Sequence, residues 1–472
     1  MRIQELGKPK FIEVLNPQDN SIISTVPSAS KEDMMLTIEQ AKEGAKTAAR
    51  MSVHSRMEVL NKAAVYVEKN EEKYATVISL EGSKTITEAR SEVKRCIQTL
   101  KISAEEARRI NGETIPFSQS EGSENRVGYY YKVPIGIIAA ITPFNDPLNL
   151  VAHKVGPAVA SGNAIIVKPS SDTPLSAILL AEAFEAAGLP ANVLSIITGS
   201  GSVIGDLLVS HPAIRMVSFT GGLETGERIA HKAGLKKLSM ELGSNSPVII
   251  LNDADLEAAV EATVSGAFFA AGQNCLGVQR IFIEEEKYEE FSNSFIAATK
   301  CYKVGDKMLE TTDMGPMINE REAVRVETWV EEAISKGARL LTGGKRSGAF
   351  YSPTVLTDIP SDCTIAHEEV FGPVVLLYSV ADLDSAIEKS NDVNYGLQAG
   401  IFTKDLEKAF LAIDRMDVGG LMINDSSDFR IDGMPFGGVK GSGIGREGVK
   451  FTIQEMTEPK VISFKLAHKR FI

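Results

Sequence analysis

Apolar residues recur at helical spacing through the first hundred positions of the chain. Ser30 to Arg50, His54 to Gly82 and Thr85 to Arg109 read as amphipathic helices, with Ser30 placed to cap the first and Gly112 to stop the third. The period then changes to two. Glu113 to Ser118 and Glu124 to Val133 alternate, and Glu121-Gly122-Ser123 supplies a turn, which predicts two strands. From Gly136 onward, short apolar runs alternate with helical stretches. The segments 137–141, 164–167, 193–197, 216–219 and 237–242 read as strands. Leu148 to Ala160, Pro174 to Ala187, Gly201 to Ser210 and Thr225 to Ala233 read as the helices between them. This alternation predicts an α/β fold with a doubly wound parallel sheet, whose ligands lie beyond the C-terminal strand ends.

A second alternating series begins at Pro247-Val248-Ile249-Ile250. It continues through a helix from Leu256 to Ala271, a strand at 280–283, helices from Tyr288 to Lys300 and Glu320 to Lys336, and a strand at 374–380. A domain boundary near Gly243-Ser244 separates the two series. Pro459 to Phe464 reads as a late strand that needs a partner, either the hairpin near residue 130 or another subunit.

The chain has 472 residues, enough for two to four domains at about 150 residues each. A net charge of −12 argues against a nucleic-acid partner. No apolar run approaches the ~18 residues of a membrane span, and Met1-Arg2-Ile3-Gln4-Glu5-Leu6 lacks the apolar core of a secretory signal. Four cysteines, with no Cys-x-x-Cys pair or Cys/His cluster, predict a reducing, cytoplasmic setting and no metal site.

One cysteine stands apart. Cys275 follows Gly272-Gln273-Asn274 and precedes Leu276-Gly277, directly after the apolar run 267–271. A reactive thiol needs access for a small substrate and dipoles that favour thiolate, and this setting offers both. Loop motifs fall at the predicted strand ends of the first sheet: Thr142-Pro143-Phe144-Asn145, Lys168-Pro169-Ser170, Gly199-Ser200-Gly201, Thr220-Gly221-Gly222 and Glu241-Leu242-Gly243. The usual dinucleotide fingerprint G-x-G-x-x-G is absent, since Gly199-x-Gly201-x-x-x-Gly205 is one residue too long.

Seven motifs in order carry a family resemblance: Thr142-Pro143-Phe144-Asn145, Lys168-Pro169-Ser170, Phe219-Thr220-Gly221, Glu241-Leu242-Gly243, Gly272-Gln273-x-Cys275, Glu369-Val370-Phe371-Gly372-Pro373 and Pro435-Phe436-Gly437-Gly438-x-Lys440. The chain resembles the aldehyde dehydrogenase superfamily over nearly its whole length. The resemblance implies a Rossmann-like cofactor domain over residues 1–111 and 134–244 and an α/β catalytic domain over 245–423. A small β oligomerisation element, a closing loop and a terminal strand would take 112–133 and 424–472.

It also implies a mechanism. Cys275 attacks the aldehyde carbon as thiolate, and the Asn145 amide and the Cys275 N–H hold the resulting oxyanion. Hydride leaves to a nicotinamide dinucleotide, and Glu241 activates the water that hydrolyses the thioester. For the cofactor, the matching positions are Thr142, Pro143, Phe144, Lys168, Ser170, Ser171, Gly201, Thr220, Gly221, Gly222, Glu369 and Phe371. Lys168 matches the lysine on the adenosine ribose, and Glu369 the carboxylate on the nicotinamide ribose. NAD-selective members often carry Glu at the position of Ser171. Its loss removes a repulsion of the 2′-phosphate, so both NAD and NADP are expected to be accepted.

Arg95, Asn149, His153, Asn274 and Arg430 match substrate positions. Arg95, His153 and Arg430 favour a small polar or anionic aldehyde. The segments 424–427, 432–440 and 445–448 look most like the lactaldehyde dehydrogenase branch, and 3-sulfolactaldehyde combines its 2-hydroxy group with a charge. A short semialdehyde such as succinate semialdehyde is the alternative substrate. A coenzyme A-acylating enzyme and an inactive structural relative are the other classes; intact Glu241 argues against the first, and intact Cys275, Glu241 and Asn145 against the second. The resemblance further implies a homodimer or homotetramer.

Overall fold

The computed structural model describes residues 10–468. Residues 1–6, read above for a secretory signal, lie outside the described residues, as do residues 469–472 of the expected terminal segment.

The first sheet runs in the spatial order Gly443–Ile444, Lys237–Glu241, Ile214–Thr220, Ile137–Ile141, Ala164–Lys168 and Leu194–Ile196. All neighbours are parallel except the two-residue edge at Gly443–Ile444. Side chains alternate across the pleat, so Ile138, Ala140, Ile165 and Val167 enter one core and Ile137, Ala139 and Ile166 enter the other. Both faces are therefore covered, as a parallel sheet requires. The chain starts at the centre, moves outward through Ala164–Lys168 to Leu194–Ile196, then returns to the other side at Ile214–Thr220. That reversal opens a crevice beyond Ile141 and Thr220.

The second sheet runs Arg339–Thr342, Thr354–Thr357, Val374–Val380, Val278–Glu284, Ser246–Ile250, Gln398–Phe402 and Gly420–Ile423, parallel except at Arg339–Thr342. The chain passes from one sheet to the other between Glu241 and Ser246. The late strand, Thr457–Lys465, pairs antiparallel with Arg126–Pro134 of the same chain, Val461 opposite Tyr130. Among the described residues no helix is long and apolar enough to cross a membrane.

Several elements differ from the sequence reading. The helix expected from His54 to Gly82 is two, Val53–Lys69 and Glu71–Glu81, broken at Asn70, whose side-chain amide donates to Tyr66 O at 2.8 Å. Gly201–Gly205 is a π turn before a short helix, Asp206–Ser210. The first strand of the expected hairpin shrinks to Glu113–Thr114, because Pro116 precedes a 3-10 turn at Phe117–Gln119. The helix expected to reach Ala271 stops at Phe268. Residues 443–456 do not join the terminal strand as a separate element: Gly443–Ile444 borders the first sheet, and Val449 and Ile453 lie in its core.

Candidate active site

The loop that leads into Cys275 is strained. Ala270, Ala271 and Gly272 follow one another with φ of 50°, 56° and 69°. A left-handed alanine costs about 1–2 kcal/mol, so the loop needs outside support. Ala270 N–H donates to Glu88 Oε1 at 2.8 Å. The Gln273 amide donates to Ala270 O at 3.0 Å and accepts from Ile318 N–H at 2.9 Å. A Cβ on Gly272 would stand 2.2 Å from the Gly372 carbonyl oxygen, so only glycine fits. The loop delivers Cys275 half-buried against Leu276, Leu397 and Phe436. Burial, and next the nearby Glu369 carboxylate, push its thiol up to about 12. Asn274 is half-buried, its side-chain oxygen accepting from Leu276 N–H at 3.1 Å.

Asn145 follows the central strand of the first sheet and is half-buried. The residues after it are anchored to the helix Ile86–Ala107. Asp146 pairs with Lys84 and with Arg95, and the N–H groups of Leu148 and Asn149 donate to Glu92 Oε1 at 2.7 and 3.0 Å. The ring of Phe144 meets Phe371 edge-on, centroids 5.7 Å apart. Glu241 ends its strand 2% exposed, and neither carboxyl oxygen has a hydrogen-bond partner. Burial, then the charge of Glu447, raise its pKa well above the usual carboxylate value.

The residues at the crevice fit a dinucleotide. Thr142 Oγ1 and Thr220 Oγ1 are buried without partners. Lys168 is 7% exposed and donates one hydrogen bond, to Pro169 O at 2.9 Å, leaving two of three N–H donors for a ribose. Burial holds its pKa below the ordinary lysine value. Ser170 Oγ lies 3.3 Å from Asp172 Oδ2, with Ser171 half-buried between them in sequence. The helix Leu223–Ala233 starts from Gly222 with no side-chain cap, so its first N–H groups are free to bind an anion. Gly201 and Gly222 have open space where a Cβ would be. Gly221 differs: a Cβ there would stand 2.6 Å from the Phe219 ring, so its need is packing. Glu369 accepts from Ser244 N–H at 2.8 Å, and a Cβ on Gly243 would meet its other oxygen at 2.6 Å.

Three of the expected substrate residues converge on one internal carboxylate. Asp432 Oδ1 accepts from Arg95 Nη2 at 2.9 Å and Asn149 Nδ2 at 3.1 Å, and lies 2.8 Å from His153 Nε2. Asn149 and His153 are fully buried. Burial, then the charge of Arg430, lower the His153 pKa below the ordinary imidazole value. Arg95 keeps 31% of its side chain exposed but already bridges Asp146 and Asp432.

Arg430 is the contrast. Its side chain is 6% exposed, Nε and Nη2 have no hydrogen-bond partner, and Glu447 is 3.6 Å away. It lies over the ring of Phe436, the same ring that borders Cys275. Behind it, Lys154 Nζ donates to Glu447 Oε1 at 2.7 Å and Ser218 Oγ at 2.9 Å.

Sequence reasoning missed Lys84, Glu88, Glu92, Asp146, Lys154 and Asp432. One signal was available: Glu88, Glu92 and Arg95 follow i, i+4, i+7 spacing, so three charges share one face of the helix.

The aldehyde dehydrogenase family model matches residues 4–462. The chain belongs to this family. The 3-sulfolactaldehyde dehydrogenase of Priestia aryabhattai is 47% identical over 455 residues, 96% of this chain and 95% of that protein. Aldehyde dehydrogenase 21 from Physcomitrella patens, in complex with the reaction product succinate, superposes with a TM-score of 0.95 at 41% identity, covering 98% of this chain and 96% of that one. The glyceraldehyde-3-phosphate dehydrogenase GapN from Methanocaldococcus jannaschii, complexed with NADP, gives a TM-score of 0.93 at 39% identity over 98% of this aldehyde dehydrogenase and all of that chain (100%).

Proposed function

We propose that this enzyme oxidises a short anionic aldehyde to the carboxylate with NAD or NADP. Cys275 attacks the carbonyl carbon as thiolate. The Asn145 amide and the Cys275 N–H hold the oxyanion, each such donor worth about 2.7–4 kcal/mol. Bound nicotinamide supplies the acceptor for the departing hydride. Glu241 then takes a proton from water, the water oxygen joins the acyl carbon, and the C–S bond breaks to return the Cys275 thiolate. Lys168 and Glu369 hold the two riboses. Thr142, Pro143, Phe144, Ser170, Ser171, Gly201, Thr220, Gly221, Gly222 and Phe371 line the rest of the cofactor site.

Arg430 carries the choice of substrate class. A buried guanidinium whose Nε and Nη2 make no hydrogen bond, with Glu447 at 3.6 Å as its ion pair, can still recognise carboxylate, sulfonate or phosphate. It sits one ring from the nucleophile's apolar wall. The relatives named above carry a sulfonated aldehyde, a dicarboxylate product and a phosphorylated aldehyde in their names. A second reading, neutral lactaldehyde, draws on Asp432, which neutralises Arg95 and engages His153 and Asn149. Initial rates with 3-sulfolactaldehyde, succinate semialdehyde and glyceraldehyde 3-phosphate against lactaldehyde and propanal, each with NAD and NADP, test the choice. A neutral aldehyde with the highest kcat/KM would reject the anionic reading.

The enzyme works in the cytoplasm as a homodimer or homotetramer. The three-stranded sheet exposes Tyr129, Tyr131, Val461 and Phe464 to another copy, and none of the four cysteines is in a disulfide.

A further inference from the structure

Two carboxylates on one helix reach both catalytic loops. Glu88 sits in the first turn of Ile86–Ala107. Its Oε2 accepts from Thr85 N–H at 2.7 Å, closing that helix's own cap, and its Oε1 accepts from Ala270 N–H at 2.8 Å. Glu92 lies one turn further along. Its Oε1 accepts from Leu148 N–H at 2.7 Å and Asn149 N–H at 3.0 Å, and its Oε2 from Lys84 Nζ at 2.7 Å. Lys84 also pairs with Asp146 and lies 5.4 Å from the centroid of the Phe269 ring. Ala270 begins the left-handed run that delivers Cys275. Asp146 and Leu148 belong to the segment that carries Asn145.

We propose that Glu88 and Glu92 are paired positioning residues: they fix the nucleophile loop and the oxyanion loop to one rigid helix and so set the separation of Cys275 from Asn145. This rests on the roles assigned above to Cys275 and Asn145. The two loops come from different sheets, Cys275 preceding Val278–Glu284 and Asn145 following Ile137–Ile141. The shared helix gives them a common frame. Residues one turn apart on a helix share a face and move together. Neither carboxylate touches the reacting atoms. Each acts through backbone N–H groups of a catalytic loop.

The substitutions separate this role from helix capping. Glu88→Gln keeps an oxygen for Ala270 N–H but presents N–H₂ where Thr85 N–H needs an acceptor. Glu88→Asp is one methylene shorter: it keeps the cap and loses the reach to Ala270. Glu92→Gln keeps the acceptor for Leu148 and Asn149, and Glu92→Ala removes it. The readouts are the pre-steady-state burst rate of reduced nicotinamide, the dissociation constant for NADP, and the rate of Cys275 alkylation by iodoacetamide followed by peptide mass.

Misplacement of reacting groups by about 1 Å costs as much as a hundredfold in rate. Glu88→Asp and Glu92→Ala are therefore expected to slow the burst about ten- to a hundredfold with NADP affinity unchanged, while the two Gln variants stay near the parent. Cys275 alkylation should change in Glu88→Asp and stay at the parent rate in Glu92→Ala, because alkylation needs no oxyanion donor. If Glu88→Asp keeps the parent burst rate while Glu88→Gln loses it, capping is the role and positioning is wrong. Equal alkylation rates in parent and Glu88→Asp would also overturn the proposal. If iodoacetamide modifies Cys275 of the parent without abolishing oxidation, the nucleophile assignment itself fails, which none of the Glu variants can mimic.

Discussion

The guanidinium of Arg430 lies against the ring of Phe436, 3.7 Å from its centroid, while two of its nitrogens have no hydrogen-bond partner. A charge-assisted hydrogen bond from such a group is worth roughly 1.5–3 kcal/mol. Arg430→Met keeps apolar contact with Phe436 and removes the charge. It should lower kcat/KM for succinate semialdehyde by about ten- to 150-fold and leave propanal within a few-fold. An equal fall for both aldehydes would assign Arg430 to structure alone.

Arg95 should behave in the opposite way. Its guanidinium bridges Asp146 and Asp432, so Arg95→Met takes one of two cations from Asp146 and leaves Asp432 with Asn149 and His153 alone. Removing one partner of a buried pair costs about 3–5 kcal/mol, and partial exposure of Arg95 puts the effect at the lower end. The expected result is a lower denaturation midpoint and a parallel loss with anionic and neutral aldehydes. Selective loss with the anionic one would return Arg95 to substrate binding.

Thiol reactivity gives a pH test. Burial, then Glu369, hold the Cys275 thiol up at about 12. The thiolate is the reactive form, so alkylation of the free enzyme at Cys275 should rise steadily with pH above 7. Glu369→Gln removes the negative charge and should move the profile to lower pH, with weaker binding of cofactor. A profile that does not move would show that Glu369 leaves the sulfur untouched.

Ser171 tests the reading of the cofactor's 2′ position. Ser171→Glu places a carboxylate where the 2′-phosphate of NADP is expected, and like charges repel. The ratio of kcat/KM for NADP to that for NAD should fall at least about tenfold, the equivalent of 1.4 kcal/mol. An unchanged ratio would place the 2′ group elsewhere.

Much of the fold could be read directly in the sequence because parallel strands buried on both faces are short, mostly apolar runs. The strands at 137–141, 164–168 and 214–220 show this. Lys10–Leu15 and Ile22–Ser28 escaped detection, since that two-stranded pair is largely exposed and lacks an apolar stripe. The break at Asn70 was hidden because apolar spacing continues across it. At the site, motifs flagged Cys275, Glu241 and Asn145, which carry chemistry in a local pattern. Asp432 could not be found that way. Its partners Arg95, Asn149 and His153 are hundreds of residues distant in sequence, 337 in the case of Arg95, and only the folded chain brings them together. Glu88 and Glu92 gave only their shared face as a signal: on a helix of mixed polarity, a buried carboxylate looks like a solvated one.

The thioester is the centre of the mechanism, and Glu241→Gln exposes it. With water activation removed and thiol attack intact, one turnover in succinate semialdehyde and NADP should release about one equivalent of reduced cofactor per active site. Acid quench, digestion and mass spectrometry should then find the succinyl group on the peptide bearing Cys275. A burst without an acyl group on Cys275, or an acyl group on another residue, would contradict the mechanism.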